Sequence, residues 1–117
     1  MRLTDPMVWT TAIEGVTALA LLIAPALVGR LLLGSELAGV GILVARIAGI
    51  ALFSLVVACR PRDATRTSVR AMLAYNALVG VYLASLGMSA LASGVMLWPA
   101  VAIHFVMAIA LARRSWK

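Results

Sequence analysis

Charge is scarce in this sequence. Charged residues make up 12% of the 117, only four residues are acidic, and there is one histidine and one cysteine. A soluble domain carries about 25% charge, so the depletion excludes a surface built for water. A single cysteine, Cys59, excludes an intrachain disulfide and reads as a small apolar side chain at the end of a helix. A lone histidine with no second histidine or thiolate nearby argues against a metal site made by this chain alone. No CxxC, HExxH or glycine-rich phosphate loop occurs. No nucleophile–base pair stands out, so no catalytic residue is assigned and no cofactor is indicated.

Long apolar runs fill the chain instead. Hydrophobic residues reach 64%, and a run of about 20 spans a bilayer core of about 30 Å. Four such runs use up the sequence. The expected fold is all-α: a four-transmembrane-helix bundle forming a single integral membrane domain over residues 1–117. The spans are expected at about 6–24, 36–59, 71–91 and 95–112. Asp5 and Pro6 suit a helix start, and Pro25 ends or kinks the first span. The piece after it, Ala26 to Leu33, is too short to span again. It reads as a kinked or interfacial segment closed by Gly34. Ser35 is the expected cap of the second span, and Ser93-Gly94 the turn between the third and fourth. Arg2, an apolar run and Ala24-Pro25-Ala26 imitate a signal peptide. Glu14 would interrupt its apolar core, so the first span is expected to be retained.

The formal charge of +6 sits beside the spans and not in a nucleic-acid patch, so no nucleic-acid partner is expected. Arg2, Arg60, Arg62, Arg66, Arg70, Arg113, Arg114 and Lys117 fall on one side of the expected topology, and Arg30 alone in a loop on the other. That asymmetry predicts both termini and the arginine-rich loop in the cytoplasm. Trp9, Trp98 and Trp116 lie near span ends, as interfacial aromatics do.

Polar residues inside the spans are the candidate site. On the helical rise of 1.5 Å per residue, Glu14 lies about 12 Å from the cytoplasmic edge, Asn76 and Ser54 about 9 Å, and His104 about 13 Å. Each span thus sets one polar residue in one layer. Arg46 lies higher, at about 21 Å, within reach of Glu14 only if tilt and its long stem close the gap. An ionisable residue in a span is costly and must face the bundle, pair, or line a wet cavity. Glu14, Arg46, Asn76 and His104 are therefore the expected ligand- or proton-binding residues. Polar side chains that merely hold helices together are the competing explanation. Tyr75 reads chiefly as an interfacial anchor. Small residues such as Gly49, Gly80 and Gly87 permit close helix contact, within a bundle or between protomers.

Chain length and a glutamate in the first span are similar to small multidrug resistance transporters. Their third-span Trp-Ser/Ala-Gly pattern is absent, however, replaced by Tyr75-Asn76-Ala77-Leu78-Val79-Gly80. The chain also resembles the DoxX-like group of small four-helix bacterial membrane proteins. Ala45-Arg46-Ile47-Ala48-Gly49-Ile50-Ala51-Leu52 is similar to the Arg-x-x-Gly segment of their second span, and Trp98-Pro99 fits the start of their fourth. That resemblance implies a multi-pass protein of the bacterial inner membrane and, at most, a loose link to redox complexes.

The expected function is a transport-type or ligand-binding protein whose polar layer holds a small ligand or a proton. Its partners would be the lipid bilayer and either further copies of itself or other membrane subunits. The alternative is a non-catalytic accessory subunit of a larger, possibly redox, membrane complex.

Overall fold

The computed structural model describes residues 2–117, and every regular element among them is a helix. Helix α1, Pro6–Ile23, starts as expected: the Asp5 carboxylate accepts the Met7 N–H at 2.9 Å, and Pro6 occupies the first turn. It stops at Ala24 because Pro25 has no N–H to continue the ladder. A short helix, α2, Pro25–Val28, runs into a π-helical turn, Gly29–Leu33, which Gly34 ends in the left-handed region at φ 87°. The kinked segment closed by Gly34 is thus present.

Helix α3 is Val40–Ala58, starting later than residue 36. Ser35 does not cap it. Gly39 is the residue before the helix, and Glu36 is held in the connector by an ion pair with Arg30. A 3₁₀ turn, Pro61–Asp63, follows. Helix α4, Arg66–Met88, starts before residue 71 because Thr65 and Ser68 form a reciprocal capping box. That box draws Arg66 and Arg70 out of the loop and onto the helix. Helix α5, Leu97–Ser115, carries Pro99 in its first turn and runs past residue 112. Arg113 and Arg114 thereby occupy the last turn, where cations suit the helix dipole.

Two antiparallel hairpins make the bundle: α1 with α3, and α4 with α5. Helix α1 also meets α5 and α4, whereas α3 and α4 make no extensive contact with each other. The α1–α3 contact is close because Gly49 has no side chain; a Cβ there would lie 2.9 Å from the Ala18 carbonyl oxygen. One apolar core, at the end that holds the chain termini, comprises Met7, Cys59, Val69, Met72 and Leu111. Cys59 is accordingly buried as a small apolar residue. A second core, at the opposite end, comprises Leu83, Ala92, Leu97 and Val101, backed by Leu32 and Leu33.

Arg114 pairs with Asp5, so the end of α5 lies beside the start of α1 and both termini share one end of the bundle. At the other end the connector between α4 and α5 is bonded to the π-helical turn. The Ser93 N–H donates to the Leu33 carbonyl at 3.1 Å, and the Met96 N–H to the Leu31 carbonyl at 2.8 Å. These carbonyls lie at a helical C-terminus, where the helix itself offers no donors.

Four helices, α1, α3, α4 and α5, are long and apolar enough to cross a membrane. Their outward surfaces are apolar: on α3 alone Val40, Leu43, Val44, Ile47, Ile50, Phe53 and Val57 are exposed. An apolar surface of that extent is suited to lipid and not to water. Trp9 at one end and Trp98 at the other are half exposed.

Candidate functional site

Polar groups gather where α1, α4 and α5 meet. Thr10 and Glu14 sit one helical turn apart on the inner face of α1. Glu14 is 2% exposed, and Thr10 and Asn76 are wholly buried. Tyr75 and Asn76 enter from α4, and His104 from α5.

Asn76 is the hub. Its amide nitrogen donates to Thr10 Oγ1 at 2.9 Å and to the Met72 carbonyl at 2.8 Å. Both amide hydrogens are thereby used, which leaves Oδ1 as an acceptor. Oδ1 lies 3.1 Å from His104 Nδ1. A bond between them requires the proton on Nδ1, so the imidazole is held as the Nδ1–H tautomer.

The same Nδ1 lies 3.6 Å from Glu14 Oε1. That distance is ion-pair range and too long for a hydrogen bond. Tyr75 completes the cluster: its hydroxyl donates to Glu14 Oε2 at 3.1 Å, and its ring stands edge-on to His104 with centroids 6.0 Å apart. No fully buried side-chain nitrogen or oxygen among the described residues lacks a partner. The cluster ties three helices together and leaves Glu14 Oε1 and His104 Nε2 without a hydrogen-bond partner.

Three of the four expected site residues, Glu14, Asn76 and His104, come together. Arg46 does not join them. It is exposed on α3, at the end away from the chain termini, and lines a groove with Arg30 and Glu36. The Glu14–Arg46 ion pair considered from depth is not formed. Ser54 also stays out. It is exposed, and its hydroxyl is turned back to the Ile50 carbonyl at 2.9 Å. Depth along a helix places a residue in a layer but says nothing of its rotation about the axis.

Two members were not expected in the site. Thr10 was legible in principle, because it is spaced four residues before Glu14 on one face. Tyr75, read chiefly as an interfacial anchor, turns inward, where its hydroxyl bonds Glu14 and its ring meets His104. No group of three or more potential metal ligands occurs among the described residues.

On α3 and its neighbours, a cleft of about 310 Å³ is lined by Leu21, Ala48, Ala51, Leu52, Leu55 and Tyr75. It lies between α3 and Tyr75 of α4, whose hydroxyl reaches Glu14. Comparisons with known proteins add no relative: no family model, curated protein or solved structure matches the chain.

Proposed function

We propose that the chain is a multi-pass protein of the bacterial inner membrane with cytoplasmic termini, and that its buried cluster binds a proton or small cation in a transport-type or ligand-binding role. One observation carries this reading. Glu14 and His104 stand 3.6 Å apart inside the bundle with no guanidinium or ammonium beside them. A carboxylate there is balanced only by a proton on the pair or by an incoming cation. With one proton shared between glutamate and histidine in excess of the Nδ1–H, the cluster is neutral; without it, it carries one negative charge. Uptake and release of one positive charge is therefore the chemistry this geometry supports.

Asn76 orients the imidazole and Tyr75 fixes one carboxylate oxygen, so neither needs to titrate. The carboxyl and imidazole instead titrate as a unit. Infrared difference spectra of the purified protein between about pH 5 and about pH 8 test this. A carboxyl band that changes with pH in the wild type and vanishes in Glu14→Gln is the expected result. A spectrum unaffected by that substitution rules the site out.

The accessory-subunit reading draws on a different observation. Helix α3 makes its extensive contacts with α1 and α2, and its exposed apolar face suits another membrane subunit or a second copy as well as it suits lipid. Stoichiometric co-purification of a partner, together with a pH-insensitive cluster, would favour that reading.

A further inference from the structure

Arg46 is the one intramembrane charge that the polar cluster leaves unused. Among the described residues no carboxylate lies within ion-pair distance of it. It lines a groove of about 460 Å³ opened by the break at Pro25. Ile23, Leu27 and Ile42 form apolar walls, and Arg30 and Glu36 complete the polar end. Arg30 is neutralised by Glu36, so the groove keeps one uncompensated guanidinium. From Val40 the rise places Arg46 about 9 Å inside the end of α3, a depth from which an arginine reaches the headgroup layer.

We propose that this groove binds the headgroup of an anionic glycerophospholipid from the leaflet opposite the termini, with Arg46 on the phosphate and an acyl chain along Ile23, Leu27 and Ile42. Charge complementarity selects this occupant. The guanidinium matches a phosphodiester bidentately, the walls match hydrocarbon, and the net charge of the polar end is opposite to that of the lipid. A zwitterionic lipid brings its own ammonium and leaves the Arg46 charge uncompensated. The proposal rests on α1 and α3 being membrane spans. It does not depend on the Glu14–His104 cluster, none of whose residues lines the groove.

The test is thermal stability of the delipidated protein in neutral detergent, titrated with dioleoyl phosphatidylglycerol, dioleoyl phosphatidylcholine or inorganic phosphate. The wild type is expected to reach half-maximal stabilisation at about tenfold lower phosphatidylglycerol than phosphatidylcholine, the factor a charge-assisted contact supplies. Arg46→Gln should erase the difference. Arg113→Gln, at the opposite end, should keep it. Glu36→Gln leaves the bundle interior untouched and frees Arg30, so it should widen the preference, and it serves even if Arg46→Gln does not fold. Retention of the preference in Arg46→Gln, its equal loss in Arg113→Gln, or no widening in Glu36→Gln would overturn the proposal. Equal stabilisation of the wild type by inorganic phosphate would overturn the lipid as occupant.

Discussion

Asn76 Oδ1 and His104 Nδ1 are 3.1 Å apart, and this one contact decides which imidazole nitrogen carries the proton. The decision propagates. With both amide hydrogens committed to Thr10 and Met72, Asn76 cannot flip to donate to the ring without setting its oxygen against the Met72 carbonyl, which can only accept. Helix α4 thereby sets the chemistry of a residue on α5 and ties both to α1.

Asn76→Leu should therefore act twice. It removes cross-helix bonds, at a cost of about 1–2 kcal/mol in total by the values measured for such bonds in membrane proteins. It also releases the tautomer. The chain has one histidine, so the ¹⁵N spectrum of ring-labelled protein reports His104 alone. The wild type should show Nδ1–H, and Asn76→Leu should show mixed tautomers. Ser54→Ala, on the outward face of α3, should stay within about 0.5 kcal/mol of wild type.

Glu14→Gln separates a titrating site from structural glue. Gln keeps the Tyr75 bond but cannot ionise. If the glutamate–histidine pair exchanges a proton, wild-type thermal stability in detergent should vary between about pH 5 and about pH 8, and the variant should follow a flatter profile. Superimposable profiles would remove the site. Because Arg46 lies elsewhere, Glu14→Gln strands no buried cation, and Glu14→Gln/Arg46→Gln should behave as the sum of its parts within about 0.5 kcal/mol.

Ala90 is the only non-glycine residue at positive φ among the described residues, at 57°. It follows the last turn of α4, where the Leu91 N–H reaches back to the Leu86 carbonyl at 3.0 Å. An L-residue with a Cβ is disfavoured there by about 1–2 kcal/mol, part of which the greater unfolded-state freedom of glycine offsets. Ala90→Gly should raise stability by about 0.5–1 kcal/mol, read as a higher midpoint of unfolding in detergent.

Reporter fusions test the orientation. The Asp5–Arg114 pair puts both termini at one end, and the arginine-rich turn joins the core at that end through Cys59 and Val69. Fusions after residue 117 and within residues 62–68 should report the cytoplasm, and fusions within residues 92–94 the other side. Agreement between residue 117 and residues 92–94 would break the four-span topology.

Helix number and type were legible because apolar length is a one-dimensional property. So was the break at Pro25, which follows from a missing N–H. The start of α4 was not, since Thr65 and Ser68 look like any polar loop until they cap each other. The site was legible in depth and not in direction. Glu14, Asn76 and His104 met because all three rotate inward. Ser54 and Arg46 share comparable environments in sequence and stay out for different reasons: Ser54 faces away from α1, whereas Arg46, one turn from Gly49, flanks the α1 contact and opens on the groove beside Pro25, at the end away from the cluster.

The backbone bonds from Ser93 and Met96 to Leu33 and Leu31 make the connector sensitive to length more than to composition. Main-chain sutures do not read side chains, so the exposed positions Ser89, Leu91, Ser93, Val95 and Met96 should drift freely. Ala90 at positive φ, Ala92 in the buried core and Gly94 are the exceptions; a Cβ at Gly94 would lie 2.2 Å from the Leu31 oxygen. A one-residue insertion would instead slip Met96 past its acceptor, leave a carbonyl unpaired at the helical C-terminus, and loosen the two hairpins from each other at that end. Homologous chains that diverge in every loop should still hold this one to a fixed number of residues.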